Sequence, residues 1–205
     1  MAGTLIRTLA GPGTQAAGLA FDGRVLWACR HQTQLIYKID PRTGTIIRSF
    51  VSPQDNNFGL FYDGHLLWVT SFNVQTIYAF DPVTGTVIRS FAALQGSSTG
   101  LGFDGRTIWN SNQIDDKPYQ QDPATGTGIR GIAAPAVHTD GIAYSRRRLW
   151  CASYQQNKVY EVDPVTGTVI RSFAAPGTHC TGVAWDDRTL WVSDYPTGNI
   201  YQIAI

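Results

Sequence analysis

Short apolar runs alternate with polar, turn-forming segments along the whole chain. In one representative stretch, GLFY is followed by Asp63-Gly64, then by LLWVT, a polar loop, TIYAF, DPVTG and TVIRSF. Runs this short, bounded by Asp, Gly and Pro, are typical of β-strands joined by tight turns. Because the 3.6-residue period of an amphipathic helix is not seen, the pattern predicts an all-β fold with four antiparallel strands in this stretch.

The same pattern returns every 41 residues, and the segment DPVTGTVIRSF occurs unchanged at 81–91 and 163–173. Three residue types repeat in register: the framework glycines (Gly18, Gly59, Gly100, Gly141 and Gly182), a tryptophan column (Trp27, Trp68, Trp109, Trp150 and Trp191) and a tyrosine column (Tyr37, Tyr78, Tyr119, Tyr160 and Tyr201). A period of this length with four strands per unit is typical of a β-propeller blade, whereas a solenoid usually needs atypical capping units. Five such units account for the 205 residues. The sequence therefore predicts one domain over 1–205, a five-bladed β-propeller.

The two ends of the chain complement each other. The last unit stops after its third strand, at YQIAI, and residues 3–9 match the fourth strand at 44–50. We therefore expect residues 1–10 to complete the last blade and close the ring, which would hide strand edges that otherwise promote aggregation.

Residues repeated in every blade are best explained by a role that every blade shares, which is packing. The tryptophan column and the first-strand aromatics (Phe21, Tyr62, Phe103, Tyr144 and Trp185) are predicted to fill the space between neighbouring sheets. The aspartates before the fourth strands (Asp40, Asp81, Asp122 and Asp163) are predicted to cap turns rather than bind calcium. We expect the fourth-strand arginines to pair with those aspartates.

Composition excludes several classes of partner. The formal net charge is +1, so no strong field favours nucleic acid or an anionic membrane.

Cys29, Cys151 and Cys180 have neither the spacing of a disulfide framework nor that of a zinc site. The first residues do not resemble a signal peptide, so we expect a cytoplasmic protein, and we expect it to be a monomer.

Candidate functional residues lie where the blades differ. Three residues before each framework glycine, the chain has a polar column of Gln15, Asn56, Ser97, His138 and His179. In a propeller, this position and the loop after the second strand face the mouth of the central channel, where convergent polar groups form ligand sites. The predicted ligand-binding residues are Gln15, Asn56, His138, His179, Arg30, Asp194 and Asp140, and the ligand is either a small molecule or a protein.

The two histidines of the polar column also suggest a metal ion. His138 and His179, with Asp140, are the residue types that zinc and similar ions prefer, although ordinary hydrogen bonding to loop backbone is the favoured explanation. We predict no cofactor and keep a metal ion in the central channel as an alternative. Cys180 adjoins His179 but is interpreted as a structural thiol, and no known catalytic motif occurs.

The units GLAFDGRVLWACRHQTQLIYKIDPRTGTIIRSF and GVAWDDRTLWVSDYPTGNIYQI resemble the YVTN, NHL and streptogramin-lyase-like propellers. Among five-bladed propellers, the chain is most similar to the glutamine cyclotransferase family, whose members convert N-terminal glutamine to pyroglutamate. Residues 97–101, SSTGL, are similar to the family segment ESTGL, but Ser97 stands where the family has glutamate. Since that acid is the obvious proton carrier, the resemblance implies the fold and does not carry the activity over.

These observations favour a non-enzymatic propeller scaffold that recognises a ligand at the channel mouth. The alternative is an enzyme resembling glutamine cyclotransferase, or a metal-assisted lyase or hydrolase. The constant period also suggests a reconstructed or engineered propeller, although the divergent third unit is compatible with a natural sequence.

Overall fold

The computed structural model describes residues 3–94, 96–133, 135 and 138–205, which form five four-stranded antiparallel sheets arranged in a ring. Blade 1 contains β2 (Ala16–Phe21), β3 (Leu26–Arg30), β4 (Leu35–Ile39) and β5 (Ile46–Val51). Blade 2 contains β6 (Asn57–Tyr62), β7 (Leu67–Ser71), β8 (Thr76–Phe80) and β9 (Val87–Ala92). Blade 3 contains β10 (Ser98–Phe103), β11 (Ile108–Asn112), β12 (Pro118–Gln121) and β13 (Gly128–Gly131). Blade 4 contains β14 (Thr139–Ser145), β15 (Arg148–Ser153), β16 (Lys158–Val162) and β17 (Val169–Ala174).

Blade 5 joins the two ends of the chain. It contains β18 (Cys180–Trp185), β19 (Leu190–Asp194), β20 (Asn199–Ala204) and, as its outermost strand, β1 (Thr4–Ala10). Strands β1 and β20 are antiparallel, with Thr4 opposite Ala204 and Ala10 opposite Asn199. The predicted five-bladed propeller and its closure by the N-terminal strand are therefore confirmed, with residues 1 and 2 outside the described residues. No helix in the described part of the chain is long and apolar enough to span a membrane.

The innermost strands β2, β6, β10, β14 and β18 contact one another in a closed cycle around the channel. The framework glycines allow this approach: a Cβ atom at Gly18 would collide with the carbonyl oxygen of Phe58, and one at Gly182 with that of Ala17. The Cys29 thiol links the same strands, since it accepts a hydrogen bond from the Gly18 N–H (3.2 Å) and donates to the Phe58 carbonyl (3.3 Å).

All three cysteines are buried and free. Burial raises the pKa of each thiol to about 12, so each remains a protonated, unreactive thiol at neutral pH. This protonated state supports the structural interpretation of Cys180.

The predicted packing role of the tryptophan column is confirmed, because each of its five side chains is at most 2% exposed. In four blades the indole N–H donates to an aspartate of the preceding hairpin turn, at 2.7 to 3.0 Å. The other carboxylate oxygen of that aspartate accepts turn N–H groups, as Asp104 does from Arg106 and Thr107. In blade 4 the hydroxyl of Ser145 replaces the carboxylate and accepts from Trp150 at 2.8 Å.

The fourth-strand arginines do not pair with the turn aspartates, so that expectation is wrong. The Arg130 guanidinium lies 5.6 Å from the centre of the Trp109 ring and donates to the carbonyl oxygens of Pro164 and Val165 in the next blade. Three further fourth-strand arginines lie over the tryptophan rings of their own blades: Arg7 over Trp191, Arg89 over Trp68 and Arg171 over Trp150. The turn aspartates accept N–H groups of their own turns, which confirms their predicted capping role.

Candidate functional site

The central channel has two different ends. At one end the half-buried first-strand aromatics, such as Phe21 and Tyr62, help to line a small cavity of about 80 Å³. At the other end lies a cavity of about 280 Å³, which we call the mouth cavity. Its lining residues come from blades 2 to 5 and are Phe58, Gln113, His138, Asp140, Tyr154, Gln155, Thr181 and Tyr195.

A β-bulge places Asp140 in the mouth cavity. In the pairing of β14 with β15, Thr139 lies opposite Ser153 and Gly141 lies opposite Ala152, so Asp140 has no partner. A bulge of this kind redirects a side chain away from the regular alternation of the strand. A register shift recurs at the corresponding point of the other four innermost strands, but only Asp140 brings a carboxylate there.

The Asp140 carboxylate is buried and only half satisfied. Asp140 is 3% exposed, and its Oδ1 accepts a hydrogen bond from Gln113 Nε2 at 2.5 Å. Within the described residues, Oδ2 has no hydrogen-bond partner. Burial raises the pKa of Asp140 to about 6, against the opposing effects of the Gln113 hydrogen bond, of nearby His138 and of the Tyr154 backbone N–H, which itself donates to the His138 carbonyl. At neutral pH the mouth cavity therefore holds a buried anion with one free acceptor.

Aromatic rings in contact with one another form a continuous wall at the mouth cavity. The Tyr154 ring lies 4.5 Å from the His179 ring and 5.9 Å, edge to face, from the Tyr195 ring. His31 continues the wall, because its Nδ1 shares a 2.5 Å hydrogen bond with the Tyr195 hydroxyl and its ring lies 4.7 Å from Phe58. Burial lowers the pKa of His31 and raises that of Tyr195, so both groups are uncharged at neutral pH.

The polar column has a backbone role that the sequence did not reveal. Gln15, Asn56, Ser97 and His138 have φ angles of 65°, 53°, 46° and 51°. The carbonyl oxygens of the whole column accept hydrogen bonds from the first loop residue after each second strand: His31, Phe72, Gln113, Tyr154 and Tyr195. A left-handed conformation favours Asn and other polar residues, so the column is polar partly for a conformational reason.

The predicted site residues are only partly brought together. His138 and Asp140 line the mouth cavity, and the His179 ring packs against Tyr154, which also lines it. The side chains of Gln15 and Asn56 instead bond to loop neighbours: Gln15 donates to Gln32 at 3.0 Å, and Asn56 donates to Asp55 at 3.4 Å.

Arg30 and Asp194 bond to loop groups outside the cavity. Arg30 Nε donates to the Thr14 carbonyl at 2.9 Å. Asp194 is 1% exposed, and its carboxylate accepts hydrogen bonds from the Thr178 N–H, the His179 N–H and the Thr197 hydroxyl. These bonds lower the pKa of Asp194 despite its burial and assign the side chain to loop structure.

In the described ranges, no three His, Cys, Asp or Glu side chains lie close enough together to hold a metal ion. A metal ion at His138 and His179 stays a prediction that elemental analysis of the purified protein would test.

Six residues line the cavity but were not among the predicted site residues: Phe58, Gln113, Tyr154, Gln155, Thr181 and Tyr195. A signal for Phe58 was present in the sequence, because the position directly before each framework glycine varies widely: Ala17, Phe58, Thr99, Asp140 and Thr181. Three of these five bulge residues, Phe58, Asp140 and Thr181, line the mouth cavity, so variation at this position marks the site better than the polar column does.

No model of a known protein family matches the chain, and no curated protein matches its sequence. Among solved structures, the crystal structure of Myxococcus xanthus glutaminyl cyclase matches with a TM-score of 0.86 and 13% sequence identity. The match covers 98% of this chain and 94% of that chain. At this identity the likeness shows a shared fold alone, and it confirms the resemblance to glutamine cyclotransferase-like propellers at that level.

Proposed function

We propose that this protein is a non-enzymatic binding protein that holds a small ligand in the mouth cavity. The observation that carries the proposal is the combination of a concave cavity of about 280 Å³ with aromatic walls and a few convergent polar groups. Ligand sites in proteins generally have this composition, and their volumes start at roughly 300 Å³. The cavity therefore suits a ligand the size of a single substituted ring better than a protein segment.

The rest of the molecule supports this assignment by contrast. The opposite end of the channel is lined mainly by aliphatic and aromatic side chains and encloses only about 80 Å³. The indole N–H groups of the tryptophan column are all bonded within the blade that contains them. The mouth cavity, in contrast, contains a buried acceptor that a ligand can satisfy.

A cavity-blocking variant tests the proposal. Gln155 is an exposed residue at the edge of the mouth cavity, and Gln155→Trp places a large ring over the opening. Asn73→Trp is the matched control, because Asn73 is the equivalent loop residue of blade 2, is exposed and does not line the cavity. Ligand-observed NMR with benzylammonium, benzyl alcohol and benzoate should detect binding of at least one fragment to the native protein and to Asn73→Trp, but not to Gln155→Trp. If none of the three binds, or if Gln155→Trp binds them equally, the proposed site is wrong.

A second candidate function is cyclisation of N-terminal glutamine, as in the enzyme named in the structural match. Ser97 offers no carboxylate, but Asp140 is a buried acid at the mouth with a pKa raised to about 6. A carboxylate with such a pKa suits transfer of a proton from the attacking amine to the departing ammonia. An ammonia-release assay on a peptide with N-terminal glutamine tests this candidate, and turnover that Asp140→Asn abolishes would favour the enzyme over the binding protein.

A further inference from the structure

We infer that the mouth cavity selects a small organic cation with N–H donors, a primary or secondary ammonium, which donates to Asp140 Oδ2 while its apolar part packs against Phe58, Tyr154 and Tyr195. The inference rests on the proposed function and adds the chemical class of the ligand.

The first argument is the state of the carboxylate. A buried carboxylate normally has opposite charges or several hydrogen-bond donors around it, because an unpaired buried charge is strongly destabilising. Asp140 has the Gln113 amide on Oδ1, while no described residue donates to Oδ2. No lysine or arginine of the described chain forms an ion pair with Asp140. The missing partner is therefore a donor, and the strongest available donor to an anion is a cation.

The electrostatic surroundings also favour a cation. Asp116 adds negative potential at Asp140, and within the part of the chain that the structure describes the basic group that opposes it is His138. His138 is held by its backbone, since its N–H donates to Asp116 Oδ1 at 2.6 Å. A negatively charged ligand would be repelled by Asp140 in the cavity and by nearby Asp116, so the site disfavours anions of similar size.

The cavity walls match the rest of such a ligand. Phe58, Tyr154 and Tyr195 present aromatic rings to the cavity, and the Tyr195 ring is held by its bond to His31. Aromatic faces attract cations as well as apolar groups, by about 0.5–2 kcal/mol for a cation. A ligand whose cationic group donates to Oδ2 and whose short apolar part packs against these rings would use both the carboxylate and the aromatic walls.

The pH dependence of binding follows from the ionised form of Asp140. Protonation removes the acceptor charge, so affinity for a cation should fall by about tenfold per pH unit below pH 6. The other titratable groups that act on this carboxylate or line the same cavity come from blades 3, 4 and 5 and are Asp116, His138, Tyr154, Cys180 and Tyr195. Burial raises the pKa of Cys180 and that of Tyr195, so neither changes charge between pH 5 and 8.

Calorimetric or NMR titration with four one-ring probes tests the inference. Benzylammonium is the cation with N–H donors, benzyl alcohol is its neutral counterpart, benzoate is the anion, and benzyltrimethylammonium is a cation without N–H donors. We expect benzylammonium to bind the native protein at pH 7.5 at least about tenfold more tightly than each of the others. Asp140→Asn should reduce that preference to less than about threefold. Asp55→Asn, which removes an exposed carboxylate at the same face outside the cavity, should leave it unchanged.

The outcomes separate this inference from the proposed function. If benzyl alcohol or benzoate binds in the mouth cavity as tightly as benzylammonium, the cavity is a ligand site but the cation assignment is wrong. Equal binding of benzyltrimethylammonium overturns Oδ2 as the acceptor. Binding of none of the four probes contradicts the proposed function itself. Unchanged selectivity in Asp140→Asn, once its circular dichroism shows a folded protein, also overturns the inference.

Discussion

The framework between the blades and the mouth cavity are built from the same repeat but differ in which residues recur and in how a buried carboxylate is satisfied. In the framework, each indole N–H of the tryptophan column has an acceptor within its own blade, and each framework glycine lies against a neighbouring strand. In the mouth cavity the equivalent residues differ from blade to blade, and the carboxylate oxygen Asp140 Oδ2 has no partner in the described part of the chain. The other buried polar atoms without a partner there belong to uncharged amides of blade 3, Asn110 Nδ2 and Gln121 Oε1, and to the His179 ring, Nδ1.

This difference teaches where to look for function in a repeat protein. A residue that recurs in every blade answers a constraint that every blade has, which is packing or turn geometry. An unsatisfied buried polar atom is not required by packing or turn geometry, and it lowers the stability of the folded protein. We therefore expect changes in the framework to cost stability and a change at Asp140 to increase it.

The largest effect should follow deletion of the N-terminal strand. Removing residues 1–10 leaves β20 as an open edge and removes Leu9, which is 6% exposed, from the core. We expect the free energy of unfolding to fall by more than about 5 kcal/mol and the protein to associate through the free edge. Urea unfolding and light scattering measure the two effects.

The matched control for this deletion restores the strand elsewhere in the chain. Because Thr4 lies opposite Ala204, residues 3–10 can follow Ile205 through a tight turn and pair with β20 as a hairpin. This rearranged chain should recover most of the lost stability. A deletion variant that is monomeric and as stable as the native protein would contradict the closure of the ring.

A smaller loss should follow from Trp109→Ala. Trp109 is fully buried, donates to Asp104 and lies under the Arg130 guanidinium, so its removal leaves a cavity between blades. We expect the free energy of unfolding to fall by about 3–5 kcal/mol in urea titrations. Trp185→Ala, which removes a half-buried ring at the narrow end of the channel, should cost less. Equal losses for the two variants would contradict the packing role given to the column.

The framework could be predicted from the sequence because its causes are local and occur five times. A glycine where two strands nearly touch, or a tryptophan five residues after a turn aspartate or, in blade 4, a serine, meets the same steric and hydrogen-bonding demands in each blade. Aligning the repeats therefore reveals these residues as columns of recurring residue types in the sequence. The arginines show the limit of this approach, because their column was visible but their partners in the next blade, such as the Pro164 carbonyl for Arg130, were not.

The mouth cavity was less predictable because its causes are neither local nor repeated. Asp140 points towards the channel because it is the bulge residue of β14. The regular alternation of side chains along a strand does not predict this orientation. His31 and Tyr195 bond to each other across 164 positions of sequence, a contact that exists only because the ring closes. His138 and His179 share one column, yet His138 lines the cavity and His179 packs behind Tyr154.

Asp140→Asn should stabilise the protein at the expense of cation binding. In the folded protein the pKa of Asp140 is raised from 3.8 to about 6, so the folded state favours the protonated form. The stability that the native side chain contributes is fully present below pH 4 and is lost as the pH rises through 6. Relative to the native protein, the asparagine variant should therefore gain about 2–3 kcal/mol at pH 8 and almost nothing at pH 3.5.

Urea unfolding of both proteins at the two pH values measures this gain, and Asp55→Asn is the control for removal of an exposed charge at the same face. A pH-independent difference between native protein and Asp140→Asn would show that the carboxylate is not held in a destabilising environment.

The smallest effect should come from Tyr195→Phe, which removes the hydroxyl bonded to His31 and keeps the aromatic wall. The loss of one hydrogen bond between uncharged groups should lower the free energy of unfolding by about 0.5–1.5 kcal/mol. The ¹⁵N chemical shifts of the His31 ring should change in the variant, because Nδ1 loses its partner and the balance between the two tautomers shifts. Tyr154→Phe is the matched control, since its ring packs against His179 while the bond between His31 and Tyr195 stays intact. Unchanged His31 shifts in Tyr195→Phe would mean that the ring is positioned by its 4.7 Å contact with Phe58 alone.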